Sequence, residues 1–391
     1  MRALLVAVAC AGVGCTLIIG DPRSGPGSNG NGDGGPAMNG GDGGMSAGPP
    51  AACPMPMGLR NGSKLDLSNG SRVSIAAAGD GDFVAASFSG GLQLEKFNHM
   101  GGHSSSSVMP CPGCNDPRVA SGISGEPVVF GFAQGDTASS FVITGMIKPP
   151  PNGVTAGPVV TCTNLANAAQ LTRVTSGVIA GADCANGGFF VSAGSAPSDA
   201  VFLAAPAFTP RLTSSWLGRA FAVWRDGDDN IKVVELTTSG TALAASPAHT
   251  FFTFMPGQAL AVAVSGATPP VMLVATIDDH SQVQMVMGPP DGQGQLVPMS
   301  GSIGSVPPLS VAAGDHGRFL VGYTATMNPQ TPAYVVVTAS GVSAPTLMPT
   351  SGTQIDIAFD EFNTNAEKYG VAWVDSDPSG PFVHTALLKC P

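Results

Sequence analysis

The chain has 391 residues, of which 53 are glycine and 34 proline, and only 11% are charged. Its net charge is −10, and its 16 lysines and arginines are scattered, which excludes a nucleic-acid partner because binding phosphates needs clustered cations. The acidic excess serves solubility and names no partner.

Residues 1–15 read as an export signal, with Arg2 as the positive start and Ala3 to Val13 as a short apolar run, too short to span a bilayer. Gly12-Val13-Gly14-Cys15 resembles a bacterial lipobox, which implies lipidation at Cys15 and attachment to a membrane of the cell envelope. Gly12 departs from that pattern. Ala7-Val8-Ala9-Cys10 fits it better but leaves a shorter apolar run, and a plain secretory signal is the other alternative. Residues 16–52 form a linker rich in Gly, Pro and Asn, whose runs Ser24–Gly35 and Gly40–Gly44 have no apolar content to build a core. A coil of about 30 such residues reaches roughly 30 Å. The expected domain is residues 53–391.

Six cysteines lie beyond the signal, an even set that in an exported chain reads as disulfides. Sequence neighbourhood suggests Cys111–Cys114, Cys162–Cys184 and Cys53–Cys390, the last joining the two ends of the domain.

From residue 73 onward an apolar strand, a Gly/Asp turn and a second strand recur. Ile75 to Ser87, Val311 to Tyr323 and Arg219 to Gly227 show the pattern best. Ser87, Phe132, Ala193, Trp224, Thr276, Tyr323 and Trp373 are taken as second-strand ends, with a mean spacing of about 48 residues. A third strand follows each, from Leu92–Phe97 in the first unit, through Ala200–Ala204 in the third, to Phe382–Leu388 in the last. Leu165–Leu171 is read as a short helical turn. A unit of this length, built from short strands, predicts an all-β fold, a seven-bladed β-propeller, with six blades or another all-β repeat as the alternative. The chain ends on the third strand of its last unit, and Ser63–Ser68 is expected to supply the missing outer strand and close the ring.

Taken together, the signal, the Gly-rich stalk and the seven-unit repeat resemble exported bacterial lipoproteins that carry a degenerate seven-bladed propeller, a group mostly without assigned activity. Gly79-Asp80-Gly81-Asp82 is similar to a fragment of the calcium-loop repeat of integrin-type propellers, without its full set of alternating Asp ligands.

Several clusters have ligand chemistry. His99 and His103, near Cys111 and Cys114, are the right types for zinc or copper, although a disulfide between the cysteines would remove the thiolates. Asp226, Asp228 and Asp229 could offer oxygens to calcium, and Asp278, Asp279 and His280 are comparable; solvated hairpin turns are the preferred reading of both, so no cofactor is expected. Trp224 and Trp373 are expected to pack between blades, whereas Trp216, nearer a turn, is the candidate for stacking on a ligand. Asp356, Asp360 and Glu361 could converge near the last blade, but no catalytic motif is recognisable. The preferred function is a non-enzymatic binding or scaffold module for a protein or glycan at the cell envelope, through a propeller face. The alternatives are a carbohydrate-active hydrolase or lyase, and a metal-binding lipoprotein using His99 and His103.

Overall fold

The computed structural model describes residues 49–54, 57–64, 73–78, 81–88, 92–98, 102–109, 114–121, 129–134, 140–147, 154–161, 170–174, 177–184, 188–192, 200–203, 208–215, 218–239, 242–327, 329–361, 367–375 and 381–390. The signal, Cys15, most of the linker, His99, Cys111, Cys162 and Trp216 lie outside the described residues.

The fold is all-β. A first strand, β1 (Met57–Lys64), is followed by sheet I, made of β2 (Ser74–Ala77), β3 (Phe83–Phe88), β4 (Leu92–Phe97) and β5 (His103–Met109). Sheet II holds β6 (Cys114–Ala120), β7 (Val129–Gln134), β8 (Ser140–Ile147) and β9 (Val154–Thr161). Sheet III holds β10 (Gln170–Val174), β11 (Gly177–Cys184), β12 (Gly188–Ser192) and β13 (Ala200–Leu203). In sheet IV, β14 (Phe208–Ser214), β15 (Ala220–Arg225) and β16 (Ile231–Ser239) are followed by β17 (Ala242–Ala245) and β18 (His249–Phe252), both paired with β16. Sheet V holds β19 (Ala259–Val264), β20 (Met272–Ile277), β21 (Val283–Gly288) and β22 (Gln295–Leu296). In sheet VI, β23 (Ser305–Ala313), β24 (Phe319–Ala325) and β25 (Thr331–Thr338) are followed by β26 (Gly341–Val342) and β27 (Thr346–Leu347), both paired with β25. Sheet VII holds β28 (Gly352–Phe359), β29 (Lys368–Asp375) and β30 (Phe382–Lys389), and its outermost strand is β1.

All pairings are antiparallel. The first strands touch in a closed cycle, β2 to β6, β10, β14, β19, β23, β28 and back to β2, the arrangement of a β-propeller around an axis. Hairpin chemistry sets the tight turns. The N–H of Ala78 donates to the carbonyl of Asp82 and that of Gly81 to the carbonyl of Ala78, with Gly81 at φ 81° in the left-handed region. The turn from Asp226 to Asn230 repeats the scheme, with Asp229 at φ 60° in the left-handed place.

Apolar clusters lie between neighbouring sheets. Alternate residues of one strand face opposite neighbours: Leu273, Ala275 and Ile277 pack toward sheet VI, and Met272 and Val274 toward sheet IV. This is why β20 and β24 are buried at every position and do not alternate between apolar and polar. Trp224 and Trp373 are buried in such clusters, Trp224 against sheet III and Trp373 against sheet VI, as expected from their strands.

Four details differ from the sequence reading. The closing strand is Met57–Lys64, so it begins six residues before the alternating Ser63–Ser68 segment; pairing with β30, Met57 to Leu387 and Lys64 to Phe382, fixes it. The third unit is offset by one strand: β11 is its second strand and Ala200–Leu203 its fourth. Gly177–Cys184 has weak β propensity, but strands on both sides impose the conformation. Gln170 and Leu171 open β10 and are not helical. His103 begins an outer strand, not a loop, because the backbone ladder to β4 carries the Ser-rich run.

Closure is covalent as well. Cys53 and Cys390 are disulfide-bonded, with their Cα atoms 4.7 Å apart across a separation of 337 residues. Tyr334 Oη donates to the carbonyls of Cys53 and Pro54, at 3.2 Å each, which fixes where the chain enters the domain. On the other side of sheet VII, Phe83 and Phe97 stack at 5.6 Å, and Gly370 lies so close that a Cβ there would sit 2.4 Å from the Phe83 ring.

Two outcomes follow. Replacing Cys53 and Cys390 together by serine lowers stability by up to about 5 kcal/mol, read by urea unfolding with and without reductant, since the chain-entropy model gives that order for long loops. Gly370→Ala costs about 1–3 kcal/mol through overpacking against Phe83, in the same assay.

Candidate functional site

The seven first strands wall an axial channel whose two cavities share Leu212, Val262 and Val311 as a waist. The first strands do not pair with one another, so side chains bridge them instead. Ser74 Oγ accepts the N–H of Val119 at 3.3 Å, and Thr172 Oγ1 donates to Ser214 Oγ at 2.9 Å. Ser310 Oγ donates to Asp356 Oδ1 at 2.6 Å and accepts the N–H of Ile357 at 3.0 Å. Asp356 Oδ2 accepts the N–H of Ile75 at 2.9 Å, which ties the last sheet to the first. Burial pushes the Asp356 carboxyl above its ordinary range, opposed by Ser310, the N–H groups and the charge of Arg118.

The cavity at the ends of the first strands measures about 210 Å³ and is walled mainly by Ala, Val, Ile, Ser and Thr. Arg173 from sheet III meets Glu361, after β28 in sheet VII, at 2.8 Å, so the pair spans this mouth. Burial raises the Glu361 carboxyl, Arg173 and Ser121 oppose the shift, and the charge of Asp360 adds to it. The Cys53–Cys390 bond belongs to this face, because the N–H of Cys390 donates to the carbonyl of Glu367 just before β29.

The other cavity, about 170 Å³, lies at the beginnings of the first strands and is lined by Arg118, Arg211, Ser310, Gln354 and Asp356 above the apolar waist. Four first strands carry extra residues there. β6 advances from Asn115 to Arg118 while β7 steps from Ala133 to Gly131. β14 advances from Phe208 to Arg211 opposite Arg225 to Val223. β23 runs from Val306 to Ser310 opposite Thr324 to Gly322, and β28 from Thr353 to Ile355 opposite Val374 to Trp373. Such bulges re-aim side chains. Two of them hold non-glycine residues in the left-handed region, Thr209 at φ 49° and Gln354 at φ 55°, a strain of about 1 kcal/mol each.

The same face carries the hairpin turns between second and third strands. Asp226 Oδ1 accepts the N–H groups of Asp228 and Asn230 at 3.0 and 2.9 Å, and Lys232 lies 3.3 Å from Oδ2. Burial pushes that carboxyl up, but the N–H and amide of Asn230, the N–H of Asp228 and Lys232 hold it below its usual value. Asp229 pairs with Arg225 at 3.2 Å. Asp278 repeats the arrangement with the N–H groups of His280 and Gln282. Both acidic runs form turns stabilised from within. Among the described residues no three His, Cys, Asp or Glu converge to hold a metal ion. His103, Cys114 and Cys184 are placed at strand ends, with their expected partners His99, Cys111 and Cys162 outside the described residues. Phe254, between the Asp226 turn and sheet V, is 71% exposed.

Asp356 and Glu361 do not converge: they line opposite cavities, separated by a strand path on the order of 15 Å. Arg118 and Arg211 went unnoticed in the sequence because the bulges, not the alternation, turn them to the axis. Both directly follow a register shift, a signal visible only once strands are paired.

No protein-family model matches the chain, and no curated protein matches it in sequence. Solved structures are similar at low identity. The SapL1 lectin in complex with alpha methyl fucoside matches at 10% identity and a TM-score of 0.47, over 71% of this chain and 97% of that one. A protein of unknown function from Dyadobacter fermentans matches at 11% and 0.48, over 85% and 100%. The WD40 domain of Toxoplasma gondii coronin matches at 10% and 0.46, over 87% and 89%. The propeller assignment stands on the sheet order and the cycle of first strands.

The raised Glu361 carboxyl carries a sign. A group whose folded pKa is raised contributes stability that is full below its unfolded pKa and lost as pH rises through the folded one. Glu361→Gln removes this loss, so the stability difference moves in favour of the variant between about pH 4 and pH 7, measured by urea unfolding at both ends.

Proposed function

We propose that the chain is an exported, lipid-anchored, seven-bladed propeller that binds a glycan or protein at the cell envelope without catalysing a reaction. One observation carries the non-enzymatic reading: among the described residues the lining of each axial cavity has a single carboxylate, and each is committed to structure, Asp356 bridging sheets VI, VII and I and Glu361 paired with Arg173. Glycoside hydrolysis needs two carboxylates within about 9.5 Å across one sugar. The seven sheets and the cycle of first strands support the blade count. Arg2, the apolar run that follows and the Gly-rich residues before Cys53 support export and anchoring at Cys15. The chain enters at the face of the disulfide, which leaves the face with Arg118, Arg211 and Phe254 for a partner.

A thermal-shift screen of the oxidised protein against surface polysaccharides tests this. A ligand at 100 times its dissociation constant stabilises the fold by about 2.7 kcal/mol. The expected result is a shift with at least one glycan and no release of reducing ends on prolonged incubation. Turnover of any glycan overturns the non-enzymatic reading, and absence of any shift leaves a protein partner as the target.

A further inference from the structure

The charged groups around the cavity at the beginnings of the first strands are engaged with the protein itself. Asp356 accepts from Ser310 and from the N–H groups of Ile75 and Ile357, and Arg118 acts on it through its charge. Arg211 donates to the carbonyl of Pro210 at 2.9 Å. Both arginines have further partners within the protein. These groups belong to the wall of the cavity.

Gln354 is different. It is the extra residue of the β28 bulge, between Thr353, opposite Val374, and Ile355, opposite Trp373. Its φ of 55° holds a non-glycine residue in the left-handed region, a strain that persists where the surrounding structure imposes it and that clusters at ligand sites. It lines the cavity, and its Oε1 is buried with no hydrogen-bond donor. Buried acceptors are nearly always satisfied, so one left unsatisfied beside a cavity fits a donor that arrives from outside. The last torsion of a glutamine is soft, and turning the amide brings Oε1 to the cavity without breaking any bond of that oxygen.

The shape of the cavity specifies more. Below Gln354 the waist presents Leu212, Val262 and Val311, and Leu309 and Ile355 extend this apolar floor. The volume, about 170 Å³, suits one ring and not a chain of them. An apolar floor under a polar rim matches a pyranose, which has C–H groups on a face and hydroxyls at its edge. A charged ligand would have to be paired among groups that already have partners, whereas a hydroxyl needs a single acceptor.

We propose that this mouth binds the terminal residue of a neutral glycan, one uncharged hexopyranose, with Gln354 accepting from a ring hydroxyl and the waist against a C–H face. The assignment rests on the glycan-binding reading and deepens it to a charge class, a size and a residue.

The test is isothermal titration of the full chain, disulfide intact, with the methyl glycosides of glucose, galactose and mannose, with glucuronic acid and with cyclohexanol, each up to about 10 mM. At least one neutral glycoside is expected to bind, with glucuronic acid and cyclohexanol at least about tenfold weaker. Gln354→Leu weakens that glycoside about tenfold without lowering the ligand-free unfolding temperature, because the variant removes an unsatisfied acceptor, whereas a merely structural glutamine would lose stability. Gln354→Asn has a shorter amide and tolerates the left-handed backbone; it weakens the glycoside likewise and replaces the leucine variant if that does not fold. Glucuronic acid binding as tightly as the best neutral glycoside overturns the charge class, and cyclohexanol doing so overturns the sugar assignment. Glycoside binding unchanged in folded Gln354 variants overturns the site and leaves the glycan-binding reading standing. The same holds if no monosaccharide binds while a polysaccharide still shifts the unfolding temperature. No response to monosaccharide and polysaccharide alike overturns both the site and the glycan reading.

Discussion

Closure of the ring is the constraint on which the rest depends. An open ring would expose the apolar flanks of sheets I and VII, so the two ends of the chain must meet. They do so in three ways. β1 pairs with β30, Cys53 bonds to Cys390, and Phe83 packs on Gly370 where sheet I meets sheet VII. Each is a contact between residues hundreds of positions apart, and each holds an end that has no covalent neighbour of its own to pack against.

The axis inherits its properties from that closure. Seven first strands brought around one channel cannot share a ladder, so serine, threonine and aspartate side chains link them, and Asp356 completes the circuit to Ile75. At one mouth an ion pair from opposite parts of the ring, Arg173 and Glu361, crosses the opening. At the other, bulges interrupt the pairing of first with second strands, and the side chains they bring to the cavity include Arg118, Arg211 and the amide of Gln354. The two ends therefore differ in character: one is crossed by an ion pair, and the other gathers two arginines, Asp356 and the amide of Gln354.

The outer parts of the sheets follow different rules. Second strands such as β20 and β24 lie between two neighbours and are buried at every position, whereas outer strands such as Ala242–Ala245 and Gln295–Leu296 are largely exposed and short. Turn residues absorb the positive φ that the hairpins need: Gly81 in sheet I, Asp229 in sheet IV and Ser281 in sheet V. The carboxylates of Asp226 and Asp278 accept the N–H groups of their own turns, which holds the hairpins in shape.

The repeat spacing, the β-rich composition and the Gly/Asp turns by themselves determined an all-β propeller, because short-range turn chemistry and a recurring unit length are local properties of the sequence. Cys53 and Cys390 flank the repeat, and that placement pointed to their bond. Strand identity in the third unit escaped because Gly177–Cys184 is a strand only by virtue of partners on both sides. The closing strand sits at Met57–Lys64 because its pairing with β30, not alternation, decided the register. Arg118, Arg211, Gln354 and Asp356 are distant in sequence and ordinary in type; only the ring, by bringing the bulged beginnings of several strands around one axis, made them neighbours.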